Sequence, residues 1–120
     1  MLTEQQQQDI RDMAKELQQR MSLQAWEIKI YFVNQAEIDG LLGYKDSQGC
    51  NLLNLIHKES DIYISTDVTL EEAANILKHE ISHIYTHRLS KYLDEILPAQ
   101  VNEIIDNCIE ELTEDISKLL

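Results

Sequence analysis

Residues 79–83 read His-Glu-Ile-Ser-His. Positions four apart on an α-helix lie on one face, one turn apart. A helix here therefore aims the imidazoles of His79 and His83 at a common point. Neutral imidazole nitrogen is a good zinc donor, and reactive zinc sites take three protein ligands and keep a fourth position for water. Zinc lowers the pKa of such a water from near 16 to about 7. Glu80, directly after the first histidine, stands where a general base takes the water's proton and later passes it to a leaving amine. A lone surface histidine carries none of this chemistry. The full pattern arises by chance in only on the order of one chain in a hundred of this composition.

A third donor must come from elsewhere. His87 extends the spacing by another turn, but in an unbroken helix it lies about 12 Å along the axis from His79. No glycine between His83 and His87 breaks the helix to bring it back, so His87 is not expected to share an ion with His79. His57 reads as a surface residue ahead of a strand. The C-terminal stretch offers carboxylates: Asp106, Glu110, Glu111, Glu114 and Asp115. Glu110 and Glu111 flank its apolar stripe at similar angles, so helical phase alone leaves both open. Most of these acids are expected to form a solvated face.

The elements that must position these groups are legible as patterns. Residues 1–22 read as an N-terminal helix, with a Thr3/Gln6 capping box and Ile10, Met13, Leu17 and Met21 at helical spacing. Residues 26–66 read as a sheet region. From Trp26 to Val33, Trp26, Ile28, Ile30 and Phe32 alternate with Glu27, Lys29 and Tyr31, as in a strand with one buried face. Gly40, Gly43 and Gly49, with Asp46 and Ser47, mark turns, and a second strand is expected within 38–45. Residues 51–56 fit a strand or a short helix. Residues 61–65 read as a strand with Ile62 and Ile64 on one side.

The motif helix is expected over 67–88, started by Asp67 or by a Thr69/Glu72 capping box. Leu70, Ala73, Ala74, Leu77, Ile81 and Ile84 form its packing stripe, with the two histidines roughly opposite. Residues 88–97 read as a connector. Pro98 suits the first turn of a last helix over 98–118, with Val101, Ile105, Cys108, Ile109, Leu112, Ile116 and Leu119 as its core face. The order implies one α+β domain over 1–120, with a small mixed or antiparallel sheet under the motif helix.

Composition bounds the partners. The 120 residues are 43% hydrophobic and 27% charged, which is ordinary for a globular chain. The net charge of −12 repels phosphate backbones, so nucleic acid is not an expected partner. Cys50 and Cys108 form no metal-binding pair and read as free thiols in a reducing cytoplasm. No stretch reads as a signal peptide or membrane span, so no membrane partner and a cytoplasmic location are expected. Oligomeric state is not legible.

The segment Leu77-Lys78-His79-Glu80-Ile81-Ser82-His83 resembles the HExxH motif of zinc metallopeptidases. Together with Ile109-Glu110-Glu111-Leu112-Thr113-Glu114-Asp115-Ile116-Ser117, it resembles the gluzincins, and among them the single-domain minigluzincins and short phage or prophage HExxH proteins. The resemblance implies a zincin-like fold, a Zn2+ ion and a peptide or protein substrate. It also implies a glutamate ligand from the last helix and an acid four residues later that holds a ligand histidine by its free N–H. Glu110 with Glu114 is preferred, because apolar Leu112 and Ile116 and small Thr113 and Ser117 follow at the phage-type offsets. Glu111 with Asp115 is the alternative. Tyr85 and Tyr92 are the nearest tyrosines that could bind an oxyanion, and the strand at 61–65 is expected to line the cleft. The rival expectation is a non-catalytic, zincin-like phage-type interaction module with structural metal or none. Zinc-dependent hydrolysis of another amide is a third.

Overall fold

The computed structural model describes residues 1–43 and 47–120. Helix α1 spans Glu4–Arg20 and opens with the Thr3/Gln6 capping box, burying Ile10, Ala14 and Leu17. Strand β1 (Glu27–Val33) follows, then helix α2 (Gln35–Leu42), strands β2 (Gly49–Asn54) and β3 (Glu59–Ser65), and the long helix α3 (Leu70–Ile96). A 3-10 turn, Ala99–Val101, leads into α4 (Asn102–Leu119). The fold is α+β, with four helices and one three-stranded mixed sheet among the described residues.

The sheet order is β1-β3-β2, with β3 parallel to β1 and antiparallel to β2. Period-two patterning sets its faces. Ser60, Ile62 and Ile64 are buried on the inner face, and the two isoleucines share one core with residues of α1 and α3. Tyr31 and Tyr63 pair in register and stack on the outer face at 4.9 Å. The core continues through Leu77, Ile81 and Ile84 of α3, all fully buried, which is the stripe expected from the helical spacing.

Four expectations are corrected. No strand lies over 38–42: those residues belong to α2. Asn34 caps the helix by accepting from Glu37 N–H at 2.9 Å, and Gly43 ends it at φ +73°, a left-handed conformation that suits glycine. Residues 44 and 45 of that expected strand lie outside the described residues. The stretch 88–96 is helical rather than a connector, because nothing before Pro98 breaks the repeat Leu89, Leu93, Ile96. The proline then holds Leu97 extended, at φ −110° and ψ 152°. Pro98 thus precedes the 3-10 turn, and α4 begins at Asn102.

The fourth correction concerns the face of α4. Ile105 and Ile109 are buried as expected, but the contact is completed by Thr113 and Ser117, while Cys108, Leu112 and Leu119 are exposed. Small side chains let α4 approach α3 closely, and the Thr113 and Thr86 hydroxyls hydrogen-bond between the helices at 2.7 Å. The start of α3 is settled in favour of Thr69, whose hydroxyl accepts from Glu72 N–H at 3.2 Å.

Strand β2 depends on Gly49. A Cβ there would lie 2.3 Å from Ile76 Cγ2 and 3.1 Å from the Tyr63 carbonyl oxygen, so the strand sits against α3 only without a side chain. Gly49→Ala is expected to destabilise the fold by about 1–3 kcal/mol through overpacking, read from the midpoint of urea unfolding.

Candidate metal centre

The middle of α3 supplies both histidines. Their rings meet edge to face with centroids 4.8 Å apart. Helix α4 runs alongside and brings Glu110 to them. Its carboxylate oxygens lie 3.3 Å from His79 Nε2 and 3.7 Å from His83 Nε2. One nitrogen from each histidine and one oxygen of Glu110 fall within 4.8 Å of one another. Glu111, one residue on, is exposed and outside this group. The register follows from the helix contact: Thr113 and Ser117, three and seven positions after Glu110, point at α3 and carry Glu110 round to the histidines.

Glu114 lies one turn beyond. Its carboxylate is 3.0 Å from His79 Nδ1, and a carboxylate only accepts, so Nδ1–H donates. In the neutral ring this leaves the Nε2 lone pair facing a Glu110 oxygen. Two acceptors at 3.3 Å repel unless a cation or a second proton lies between them. The donor set therefore fits a divalent cation: two imidazole nitrogens, one carboxylate oxygen, and an acid fixing the tautomer of one ring. Burial lowers the pKa of His83, which keeps that ring in the neutral form a metal takes.

Glu80 is 9% exposed. Its pKa is pushed up to about 7, chiefly by burial; the His79 charge opposes the rise and the Glu110 charge adds to it. Its backbone is tied to the sheet. Asn51 donates from Nδ2 to the Glu80 carbonyl at 2.8 Å, and Ser60 donates from Oγ to Asn51 Oδ1 at 2.7 Å. This chain runs from β3 through β2 to α3 and fixes the edge strand against the motif. Sequence reading missed Asn51, because residues 51–56 fitted strand or helix equally. Once β2 is a strand, Asn51 shares the inward parity of Leu53, and an inward-facing amide needs partners.

A cleft of about 720 Å3 opens over these groups, lined by His79, Glu80, His83, His87 and Glu110 on the helices and by Gly49 to Leu53 along β2. The bordering strand is β2 and not the expected 61–65 segment, which is central in the sheet. His87 reaches this cleft but stays outside the three-donor group. Neither expected tyrosine does. The Tyr85 hydroxyl donates to the Met21 carbonyl at the end of α1, and Tyr92 lines a different, shallow cleft. His57 is exposed in the β2–β3 turn. Cys50 is buried beside Glu80, and burial together with that charge raises its thiol pKa. Cys50 and Cys108 are both free. No described helix is long and apolar enough to cross a membrane.

Comparison with known proteins adds no identification: no family model, no curated protein and no solved structure matches the chain.

Proposed function

We propose that this chain is a zinc-dependent metallopeptidase of minimal gluzincin type, with a zincin-like fold, hydrolysing peptide bonds in a peptide or protein. The observation that carries the reading is the convergence of His79, His83 and a Glu110 oxygen within 4.8 Å, beside a buried carboxyl in an open cleft. His79, His83 and Glu110 would hold the ion, with Glu114 orienting His79. A zinc ion there supplies Lewis acidity for the substrate carbonyl and lowers the pKa of the attacking water.

The remaining work falls to the chain's own residues. With a pKa of about 7, Glu80 accepts a proton from water and returns it to the leaving amine near neutral pH, as an acid–base group should. Strand β2 offers an edge along which an extended peptide can pair by its main chain. The Ser60–Asn51–Glu80 chain keeps that edge in register with the base.

The test is protein purified without added metal, assayed for zinc by elemental analysis and for cleavage of a quenched peptide library. Near-stoichiometric zinc is expected, with cleavage that stops on chelation and returns with zinc. Absence of both zinc uptake and chelator-sensitive cleavage overturns the proposal. Zinc that raises Tm without any cleavage would instead fit the interaction module, in which Glu80 is dispensable.

A further inference from the structure

Past the turns that face the sheet, α3 carries apolar side chains that remain exposed among the described residues. Tyr85, Leu89, Tyr92 and Ile96 recur at intervals of four, three and four and are 39, 41, 59 and 56% exposed. This is the spacing of a coiled-coil seam. Leu89 is two residues, about 200°, round the helix from His87, so the stripe faces away from the cleft. Of the four, Tyr85 alone makes a side-chain hydrogen bond among the described residues, from its hydroxyl to the Met21 carbonyl.

Charge selects the occupant. Arg88 and Glu95 sit on one flank of the seam, each just before an apolar position, and both line the shallow cleft that also holds Tyr92 and Ile56. Neither has an ion-pair partner among the described residues. When two copies of this helix pack antiparallel, that flank meets itself. Leu89 then faces Tyr92 of the second copy, Tyr85 faces Ile96, and Arg88 faces Glu95, each contact occurring twice. A two-fold interface requires such reciprocity. Parallel packing gives these charges no opposite partner. The segment 85–97 also balances Arg88 and Lys91 against Asp94 and Glu95 in a chain of net charge −12. A second copy meets less repulsion here than over the acidic remainder of the surface.

We propose that this chain forms a two-fold dimer by antiparallel packing of the α3 stripe Tyr85, Leu89, Tyr92 and Ile96, flanked by Arg88 of each copy on Glu95 of the other. The interface buries Ile56, now 83% exposed, and leaves the metal-centre cleft of each copy open. A single helical stripe is a small interface, so the dimer dissociates on dilution.

Sedimentation equilibrium up to about 0.5 mM is expected to show a reversible monomer–dimer equilibrium. Arg88→Glu and Glu95→Arg should each weaken self-association at least about 10-fold. The chain carrying both reversals should regain it, as should an equimolar mixture of the two single variants. Far-UV circular dichroism and Tm, measured at a concentration where the chain is monomeric and unchanged there in every variant, separate this from misfolding. A wild type that stays monomeric throughout, or single reversals that associate as the wild type does, overturns the proposal.

Discussion

Glu80→Gln is expected to lower kcat by about 10³-fold or more while making the metal-free protein more stable at pH 8. The first effect follows from removing the buried carboxyl beside the donor set; positioned acid–base groups contribute about 10²–10⁴-fold. Zinc content should stay as in the wild type, because Glu80 is not among the three converging donors. The second effect follows from burial. The Glu80 carboxyl ionises near 4.5 when unfolded and at about 7 when folded, so folding favours its neutral form.

Stability from this group is therefore fully present below pH 4.5 and is lost as pH rises through about 7. Above that, ionised Glu80 costs on the order of 3 kcal/mol, and glutamine, of the same shape, carries no charge to desolvate. His83 works in the opposite sense. Its depressed pKa makes stability fall as pH drops below 6.5, so the two slopes overlap in the wild type. Subtracting the Glu80→Gln profile isolates the glutamate. Urea unfolding with chelator at pH 5 and pH 8, beside the cleavage assay, reads both effects. Unchanged turnover would remove Glu80 as the base, and parallel pH profiles would remove the buried-charge argument.

This opposition between stability and chemistry explains how unevenly the molecule can be read from its sequence. The parts that obey a local rule are legible. The packing stripe of α3, the Thr3 and Thr69 caps and the alternation of β1 each follow from a period or a hydrogen bond within a few residues. The parts set by distant contacts are not. Helix α2 was hidden because its glycines read as turns, although Gly40 meets no crowding that demands glycine. The apolar residues of α4 do not by themselves mark its contact face. Close helix approach instead selected Thr113 and Ser117 and left Leu112 at the edge. That same rotation brings Glu110, not Glu111, to the histidines, so the choice between neighbouring acids became legible only with α4 docked. Asn51 and Gly49 belong to this class as well: one holds the edge strand to the Glu80 backbone and the other lets the strand approach Ile76.

The docking of α4 makes a sharp prediction about three acids within five residues. Glu110→Ala should cost zinc affinity most, since among the described residues Glu110 supplies the carboxylate oxygen that groups with both histidine nitrogens within 4.8 Å. Glu114→Ala should weaken binding by about 10–100-fold, the usual cost of losing an acid that orients a ligand imidazole. Its carboxylate holds His79 Nδ1 at 3.0 Å, and without it the ring loses its fixed tautomer and orientation. Glu111→Ala removes the same charge from a solvated position and should leave affinity within about 2-fold, which controls for long-range electrostatics in an acidic protein. Competition against a chromophoric chelator at constant ionic strength gives the three affinities. Glu110→Ala carries a second signature. The Glu110 charge helps raise the pKa of Glu80, so its removal should shift the fall in metal-free stability toward lower pH, whereas Glu111→Ala should not. If Glu111→Ala lost zinc while Glu110→Ala kept it, α4 would dock in solution about 100° away from the register described, and Thr113 would no longer meet Thr86.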